Sequence, residues 1–409
     1  MTDGATDGPR DWAEPLGATG DAVRRIGVLT TGRQDWGVVH STCEAMRETR
    51  ELRLVLLVGG MHLSVQHGRT IDAIRADGFE PDDELDWLGD RDEPPAAMQA
   101  GRALEAVAGA IRRQELDALL LVGDRFEVAS AAIAATIQRT PIAHLHGGEQ
   151  TLGAFDDALR HAITKLSHLH LVSHEEYAAR VVAVGEDRAT VHVVGAPGLD
   201  AAFRRDLPDR ARLEQDLGLS LTPPVVLVTV HPTTLDANPV APAEAVIAAM
   251  DAVEATYVIT LPNVDPGGQA IREALVDAGR RRRRVVVDAL GERRYWGLMK
   301  IADAMLGNSS SGIVEAPAVD LPAVNVGDRQ LGRRREANVI DVGADPDEVA
   351  AALRSAFLPE TRRRIAGSHP SLADGRAGRR VADIIAAWRP PSPPRKSPIE
   401  VRDSHALSS

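Results

Sequence analysis

DALLLVGDRFEVASAAIAATIQRTPIAHLHGGE (117–149) is the stretch on which the reading of the fold turns. Five apolar residues, Ala118–Val122, end at Gly123-Asp124-Arg125. A helix-length stretch follows, and a second apolar run, Pro141–Leu145, ends at His146-Gly147-Gly148-Glu149. Continuous apolar runs of this length suit strands covered on both faces, and their alternation with helices is the pattern of a parallel sheet. Outward from this unit the alternation runs from Arg25 to about Gly198 and resumes from Pro224 to about Ala366. The strand candidates are Ile26–Thr30, Leu54–Val58, Ala118–Val122, Pro141–Leu145, Leu169–Ser173 and Val191–Val194, then Val225–Val230, Ala255–Leu261, Val285–Asp288, Ala304–Leu306 and Ala323–Val326.

A chain of 409 residues exceeds the usual ceiling for one core, and 44% apolar residues fill two. The expected division is a polar, disordered extension (1–24), a first α/β domain (25–200), a second (201–368), a C-terminal helix (369–388) and a disordered Pro/Ser-rich tail (389–409). A charged linker with a helix lies between the halves, in 198–224. The net charge of −12 argues against nucleic acid as a partner. Cys43 is the sole cysteine, so no intrachain disulfide forms, and a buried, inert thiol is expected. The start lacks the basic-then-apolar order of a secretion signal, and no apolar run approaches a membrane span, so a soluble, cytoplasmic protein is expected.

Unusual polar residues fall just after the apolar runs, at the carboxyl ends of the expected strands, where α/β sheets bind ligands. In the first half these are Gly32-Arg33-Gln34-Asp35, Gly123-Asp124-Arg125 and His144 to Glu149. In the second they are His231-Pro232, Pro262-Asn263 and Gly307-Asn308-Ser309-Ser310-Ser311-Gly312. Together they point to a ligand held in a cleft between two domains. The serine turn leads into a helix start, which suits a diphosphate, and Glu315 beyond it suits ribose hydroxyls; the plainer alternative is that the serines cap the helix.

Asp156 and Arg160 are four apart and share a helix face, either as a surface ion pair or as part of a site, with His161 beside them. His144 and His146, with Asp124, are a weaker candidate for metal ligands, since no partner stands at a recognised metal spacing. The run Arg280–Arg284 reads as a solvated face.

The stretches TGRQDWGVV (31–39), GGMHLS (59–64), GDRFEVASAA (123–132), PIAHLHGGE (141–149), DDALRHAITKLSHLHLVS (156–173), VTVHPTTLD (228–236), LPNVDPGG (261–268) and GNSSSGIVEAPAVDLPAVNVGDRQLGR (307–333) resemble, in this order, the UDP-N-acetylglucosamine 2-epimerase family. The likeness is to its hydrolysing branch, from sialic-acid and related pathways. It implies a glycosyltransferase-B-like fold, two Rossmann-type domains with the active site between them and a C-terminal helix crossing back onto the first.

The implied reaction takes UDP-N-acetylglucosamine, or a close nucleotide-sugar analogue, to free N-acetylmannosamine or its analogue and UDP through a 2-acetamidoglucal. The implied cofactors and metals are none, and a homodimer or homotetramer is expected. Carried over by position, Asp124, His146, Asp156, Arg160 and Glu149 form the catalytic set. Arg33, Arg125, His231, Asn263, Ser309, Ser310, Glu315 and Arg329 bind substrate, and Asp35, His62, Gly307 and Ser311, inside the same matched stretches, complete that set.

The sequence departs from the family at three places. His146 stands where many relatives carry an acid/base glutamate, so the role falls to the imidazole or passes to Glu149. Gly37 and Val38 stand where non-hydrolysing relatives usually place a lysine, which favours the hydrolysing branch, and Trp36 replaces a common tyrosine. Asp124 is expected as the base, with His146 or Asp156 as the returning acid. A non-hydrolysing epimerase and a catalytically silent nucleotide-sugar-binding subunit are the alternatives.

Overall fold

The structure, a computed structural model, describes residues 23–89, 94–150, 156–233, 238–262, 268–288, 290–367, 370 and 372–396. Asn263 lies outside the described residues, as does most of the N-terminal extension.

The first half runs β1 (Arg24–Thr30), α1 (Arg33–Glu48), β2 (Leu52–Gly59), α2 (Ile71–Ala76), β3 (Asp83–Leu85), α3 (Ala96–Arg113), β4 (Ala118–Val122) and α4 (Phe126–Ile137). It continues through β5 (Ile142–Leu145), α5 (Asp156–Leu166), β6 (Leu169–Val172), α6 (Glu175–Ala183) and β7 (Val191–Val193). A 3-10 turn at Pro197–Phe203 and α7 (Arg210–Leu217) lead into the second half. That half contains β8 (Val225–Thr229), α8 (Ala241–Ala252), β9 (Thr256–Thr260), α9 (Gly268–Ala278), β10 (Arg284–Val287), α10 (Glu292–Ile301) and β11 (Ala304–Gly307). It ends with α11 (Ser311–Val314), β12 (Ala323–Val326), β13 (Val339–Val342), α12 (Pro346–Ala356), α13 (Pro359–Ile365) and α14 (Ala377–Ala387).

Both sheets are parallel, ordered β3-β2-β1-β4-β5-β6-β7 and β10-β9-β8-β11-β12-β13. The same winding occurs twice. In each sheet the order reverses beside its first strand, between β1 and β4 and between β8 and β11, and the crevice outside the strand ends at such a point is where this fold binds ligands. The loops after these four strands carry Arg33, Asp124, His231 and the serine turn.

The central strands β4 and β8 bury every residue, because helices cover both faces. The strands β3 and β13 were not among the sequence candidates; both are short edge strands with charged residues, so neither makes an apolar run.

After the second sheet the chain returns to the first. Val381, Ala382 and Ile385 of α14 pack into the core with Val39, Cys43 and Met46 of α1. The junction is fixed by polar contacts: Asp200 accepts from the amides of Ala377 (3.0 Å) and Gly378 (2.7 Å), and Arg24 donates to the carbonyls of Ile385 (2.7 Å) and Trp388 (2.8 Å). Cys43 is fully buried in this seam, and burial pushes its thiol far up. Residues 389–396, expected to be disordered, are placed against the first lobe, where the Lys396 ammonium donates to the Lys165 carbonyl. The arginine run is only partly a solvated face: Arg284 is 5% exposed, bonded to the Met250 carbonyl and stacked on Tyr257.

Candidate active site

At the end of β4, Asp124 receives a charged hydrogen bond from Arg160 of α5. Arg160 is 6% exposed, so a desolvated guanidinium is compensated by a carboxylate from another element. The four-residue spacing predicted Asp156 as its partner on the helix. Instead Arg160 reaches Asp124, with Asp157 at 3.6 Å. Asp156 lies close by: burial and the charge of Asp124 raise its carboxyl, against Arg125 and Arg160. Arg125 is held by Glu127 at 2.8 Å.

The loop after β5 sets a second pair. His146 has φ 66°, the left-handed region that a non-glycine residue enters at a cost, and its amide donates to the Leu171 carbonyl at 3.0 Å. This turn brings Nδ1 to 2.6 Å from Glu149 Oε1, which also accepts from Ser173 Oγ at 3.0 Å. Burial works to raise the Glu149 carboxyl, but His146, Arg160 and Ser173 outweigh it and hold the group down, to about 2. The other ring nitrogen of His146 is buried and takes no hydrogen bond among the described residues.

His144 is not a metal ligand in this arrangement. Nε2 bonds the Gly123 carbonyl (2.8 Å) and Nδ1 the Thr164 hydroxyl (3.2 Å), so both nitrogens are committed to locking the β4 turn to α5. Burial holds its pKa down, to about 3. His62 is similar: fully buried, bonded to Thr30 and Thr70 hydroxyls at 2.8 Å each, and lowered by burial to about 4. Asp35 turns inward to accept from the Thr31 amide (3.0 Å) and hydroxyl (2.6 Å). The structure therefore places His62 and Asp35 in the framework of the β1 turn. Arg33 and Gln34, at the start of α1, are the exposed side chains of that loop.

In the second lobe, buried Asn308 clamps His231 through both amide ends, accepting from its N–H at 2.7 Å and donating to its carbonyl at 2.8 Å. This ties the β8 and β11 loops together across the reversal point. Gln330 (3.0 Å) and Arg329 (3.3 Å) donate to the Asn308 carbonyl. Gly307 has φ 135°, and any side chain there would run into the Thr229 carbonyl on β8, which accounts for the glycine without a ligand.

Ser310 precedes α11 without using its hydroxyl as a cap, whereas Ser309 Oγ accepts from the Ser311 amide at 3.3 Å. Glu315 bonds the Ser311 side chain, and burial raises its carboxyl. Tyr295 of α10 stands among the side chains of Ser309, Ser311, Thr229 and Glu315, and burial, then Glu315, push its phenol up. Tyr295 was not singled out from sequence; with only three tyrosines in the chain, one just ahead of the serine turn was the available signal.

The lobes also meet directly. Arg293 of α10 lies 3.4 Å from Asp77, and Arg334 lies 3.6 Å from Glu176 and 3.4 Å from His174 Nδ1. The second contact flanks Ser173, and hence Glu149.

Two doubly wound sheets of one order, a linker, and a terminal helix that returns to the first sheet define a protein of the glycosyltransferase-B-like class, with its site outside the two reversal points. Among known proteins, the sequence profile of the UDP-N-acetylglucosamine 2-epimerase family matches residues 44–386, and the chain belongs to that family.

It is 34% identical over 323 residues to the GDP/UDP-N,N'-diacetylbacillosamine 2-epimerase (hydrolyzing) of Campylobacter jejuni, covering 78% of this chain and 84% of that protein. The same identity over 341 residues relates it to the UDP-N,N'-diacetylbacillosamine 2-epimerase (hydrolyzing) of Legionella pneumophila, with 82% and 89% covered. A crystal structure described as a UDP-N-acetylglucosamine 2-epimerase from Listeria monocytogenes superposes with TM-score 0.76 over 90% of this chain and 96% of its own, at 16% identity, which speaks for the fold alone. Among the described residues no helix is long and apolar enough to cross a membrane.

Proposed function

We propose that this chain is a hydrolysing 2-epimerase that converts UDP-N-acetylglucosamine, or a close analogue such as a UDP-linked 2,4-diacetamido sugar, to the free 2-epimeric amino sugar and UDP. The observation that carries this reading is the pair of partly buried Asp124 and buried Arg160 with Asp156 beside it, at the reversal point of one lobe, while the other lobe presents the serine turn at its own. The hydrolysing outcome is supported by the names of the two relatives at 34% identity and by Gly37-Val38 in place of a lysine.

In the proposed reaction Asp124 takes the C2 proton as the C1–O bond breaks and UDP departs, leaving the 2-acetamidoglucal. Water then adds its hydroxyl to C1, and a proton returns to C2 on the opposite face. Oxidation state is unchanged throughout, so the chemistry needs no redox cofactor. The C2 proton is barely acidic until the leaving diphosphate draws charge from C1, so leaving-group stabilisation must accompany base catalysis. Arg33, His231 and the turn Ser309–Ser311 are assigned to the diphosphate, a contribution of about 3 kcal/mol where one such donor is preorganised.

Glu315 is assigned to ribose, with Tyr295 setting its place. Asp156, whose carboxyl is raised, suits the acid that returns the proton, and the ionised Glu149 orients His146 as the alternative donor.

The test is incubation with a panel of UDP- and GDP-linked 2-acetamido sugars in D2O, followed by NMR. Free nucleotide and a C2-deuterated, C2-inverted sugar are expected. A nucleotide-linked epimer would establish the non-hydrolysing alternative, and binding without exchange a silent subunit. Asp124→Asn should remove deuterium incorporation at C2 by at least about a hundredfold, and full incorporation in that variant excludes Asp124 as the base.

A further inference from the structure

We propose that the segment after α14 is a strap whose Lys396 caps the C-terminal end of α5, which makes Lys396 a positioning residue for the Asp124–Arg160 pair. The inference rests on the function proposed above only for its catalytic part. The Lys396 ammonium donates to the carbonyls of Lys165 (2.6 Å) and Thr164 (3.3 Å) and lies 2.5 Å from Glu186 Oε2. The carbonyls of a helix's last turn have no partner inside the helix, and a cation there completes them and opposes the helix dipole. Here the cap comes from 231 residues further along the chain.

Glu186 makes this more than a surface contact. Its side chain is 2% exposed, and it also holds Lys165 Nζ at 2.6 Å and His170 Nε2 at 3.1 Å. Lysine occurs only at 165, 300 and 396, so two of the chain's three lysines converge on one buried carboxylate. A buried charge of this kind depends on every partner it has.

The route to it is stiff. Arg24 fastens the Trp388 carbonyl at 2.8 Å, and Arg389-Pro390-Pro391-Ser392-Pro393-Pro394-Arg395-Lys396 then leads to the C-terminal end of α5. Proline fixes φ, so a segment this rich in proline loses less entropy on ordering than an ordinary chain. At the far end, α5 is 11 residues long; it buries Arg160 and supplies Thr164, which bonds His144 at 3.2 Å. What the strap holds is thus the helix that delivers Arg160 to Asp124.

The experiment compares the full chain with Lys396→Met and Lys396→Arg, reading amide hydrogen exchange of 156–168 and of the second lobe, and kcat and KM for the sugar nucleotide that the wild type turns over. Lys396→Met is expected to speed exchange in α5 roughly tenfold, as loss of a helix cap does, while leaving the second lobe unchanged. It is expected to lower kcat several-fold with little change in KM, because the groups assigned to the nucleotide, Arg33 apart, lie in the other lobe and Arg33 is not on α5, and Lys396→Arg should restore both. Unchanged α5 exchange overturns the strap, whether or not the wild type is active. Faster exchange in both lobes, or in α5 with kcat intact, overturns the positioning role. A wild type that turns over no sugar nucleotide counts against the proposed function, and the exchange comparison then decides the strap by itself.

Discussion

His62 and His144 show how buried side chains around the site bear on its stability. Each has both ring nitrogens bonded inside the first lobe, and burial holds each imidazole neutral, with pKa values of about 4 and about 3. In the unfolded chain both titrate near 6.5. Their folded values are the lower ones, so the unfolded chain takes up protons that the folded protein refuses. Stability is full above about pH 6.5 and falls as pH drops toward the folded values, by about 1.4 kcal/mol per unit for each histidine.

Urea midpoints measured from pH 7.5 to 5 should therefore decline, and His62→Gln, which keeps a hydrogen-bonding side chain, should lessen the decline by one histidine's share, about 1.4 kcal/mol per pH unit below pH 6.5. Equal slopes in wild type and variant would show that His62 is not held neutral. These roles were hard to read from sequence, because a histidine in a matched stretch looks the same whether it faces a ligand or two threonines. The partner of Arg160 was hidden for a related reason. Spacing along a helix ranks neighbours within three or four residues, whereas Asp124 is brought in by the sheet.

At the scale of elements, α14 decides whether the first lobe is complete. A side chain built on Gly378 would meet the Ser41 carbonyl carbon and hydroxyl at 2.5 Å, so the helices α1 and α14 touch backbone to backbone there. Gly378→Ala would have to push α14 outward from Val39, Cys43 and Met46, and overpacking of this kind costs about 1–3 kcal/mol. A loss of that size in urea unfolding followed by a first-lobe probe is expected, while Gly101→Ala, on an open helix face, should raise stability slightly. A neutral Gly378→Ala would show that the helices are not in contact at this point.

The helical spacing of 375–388 made α14 legible, and the strand Ala118–Val122 was legible to the residue because burial on both faces demands an unbroken apolar run. Edge strands are under no such demand, so Asp83–Leu85 and Val339–Val342 carried no signal. Composition suggests disorder for the Pro/Ser-rich segment because it reports the lack of a core and is blind to a contact such as that of Lys396 with Glu186.

For the whole molecule, assembly and closure are the open quantities, and each has a surface. Ile133 (43% exposed) and Ile137 (70%) stand one turn apart on α4. If this apolar face carries the expected homodimer, Ile137→Asp should give monomers by light scattering, and an unchanged mass would move the interface elsewhere.

Arg293 of α10 with Asp77 and Arg334 with Glu176 of α6 join the lobes at two separate places. Both arginines are substantially exposed, so each pair is worth about 0–1 kcal/mol and the two together favour the closed form by at most roughly thirtyfold. The double variant Arg293→Ser with Arg334→Ser should accordingly raise KM by a few-fold up to that limit at low salt. It should change kcat little, because the groups assigned to the chemistry stay within their own lobes. Salt gives an independent handle: near 1 M the screening length falls to about 3 Å, so the wild type's KM should rise toward the variant's while the variant's barely moves. A variant that keeps the wild-type KM at low salt would mean that closure is driven by the substrate bridging the lobes, with the ion pairs only following.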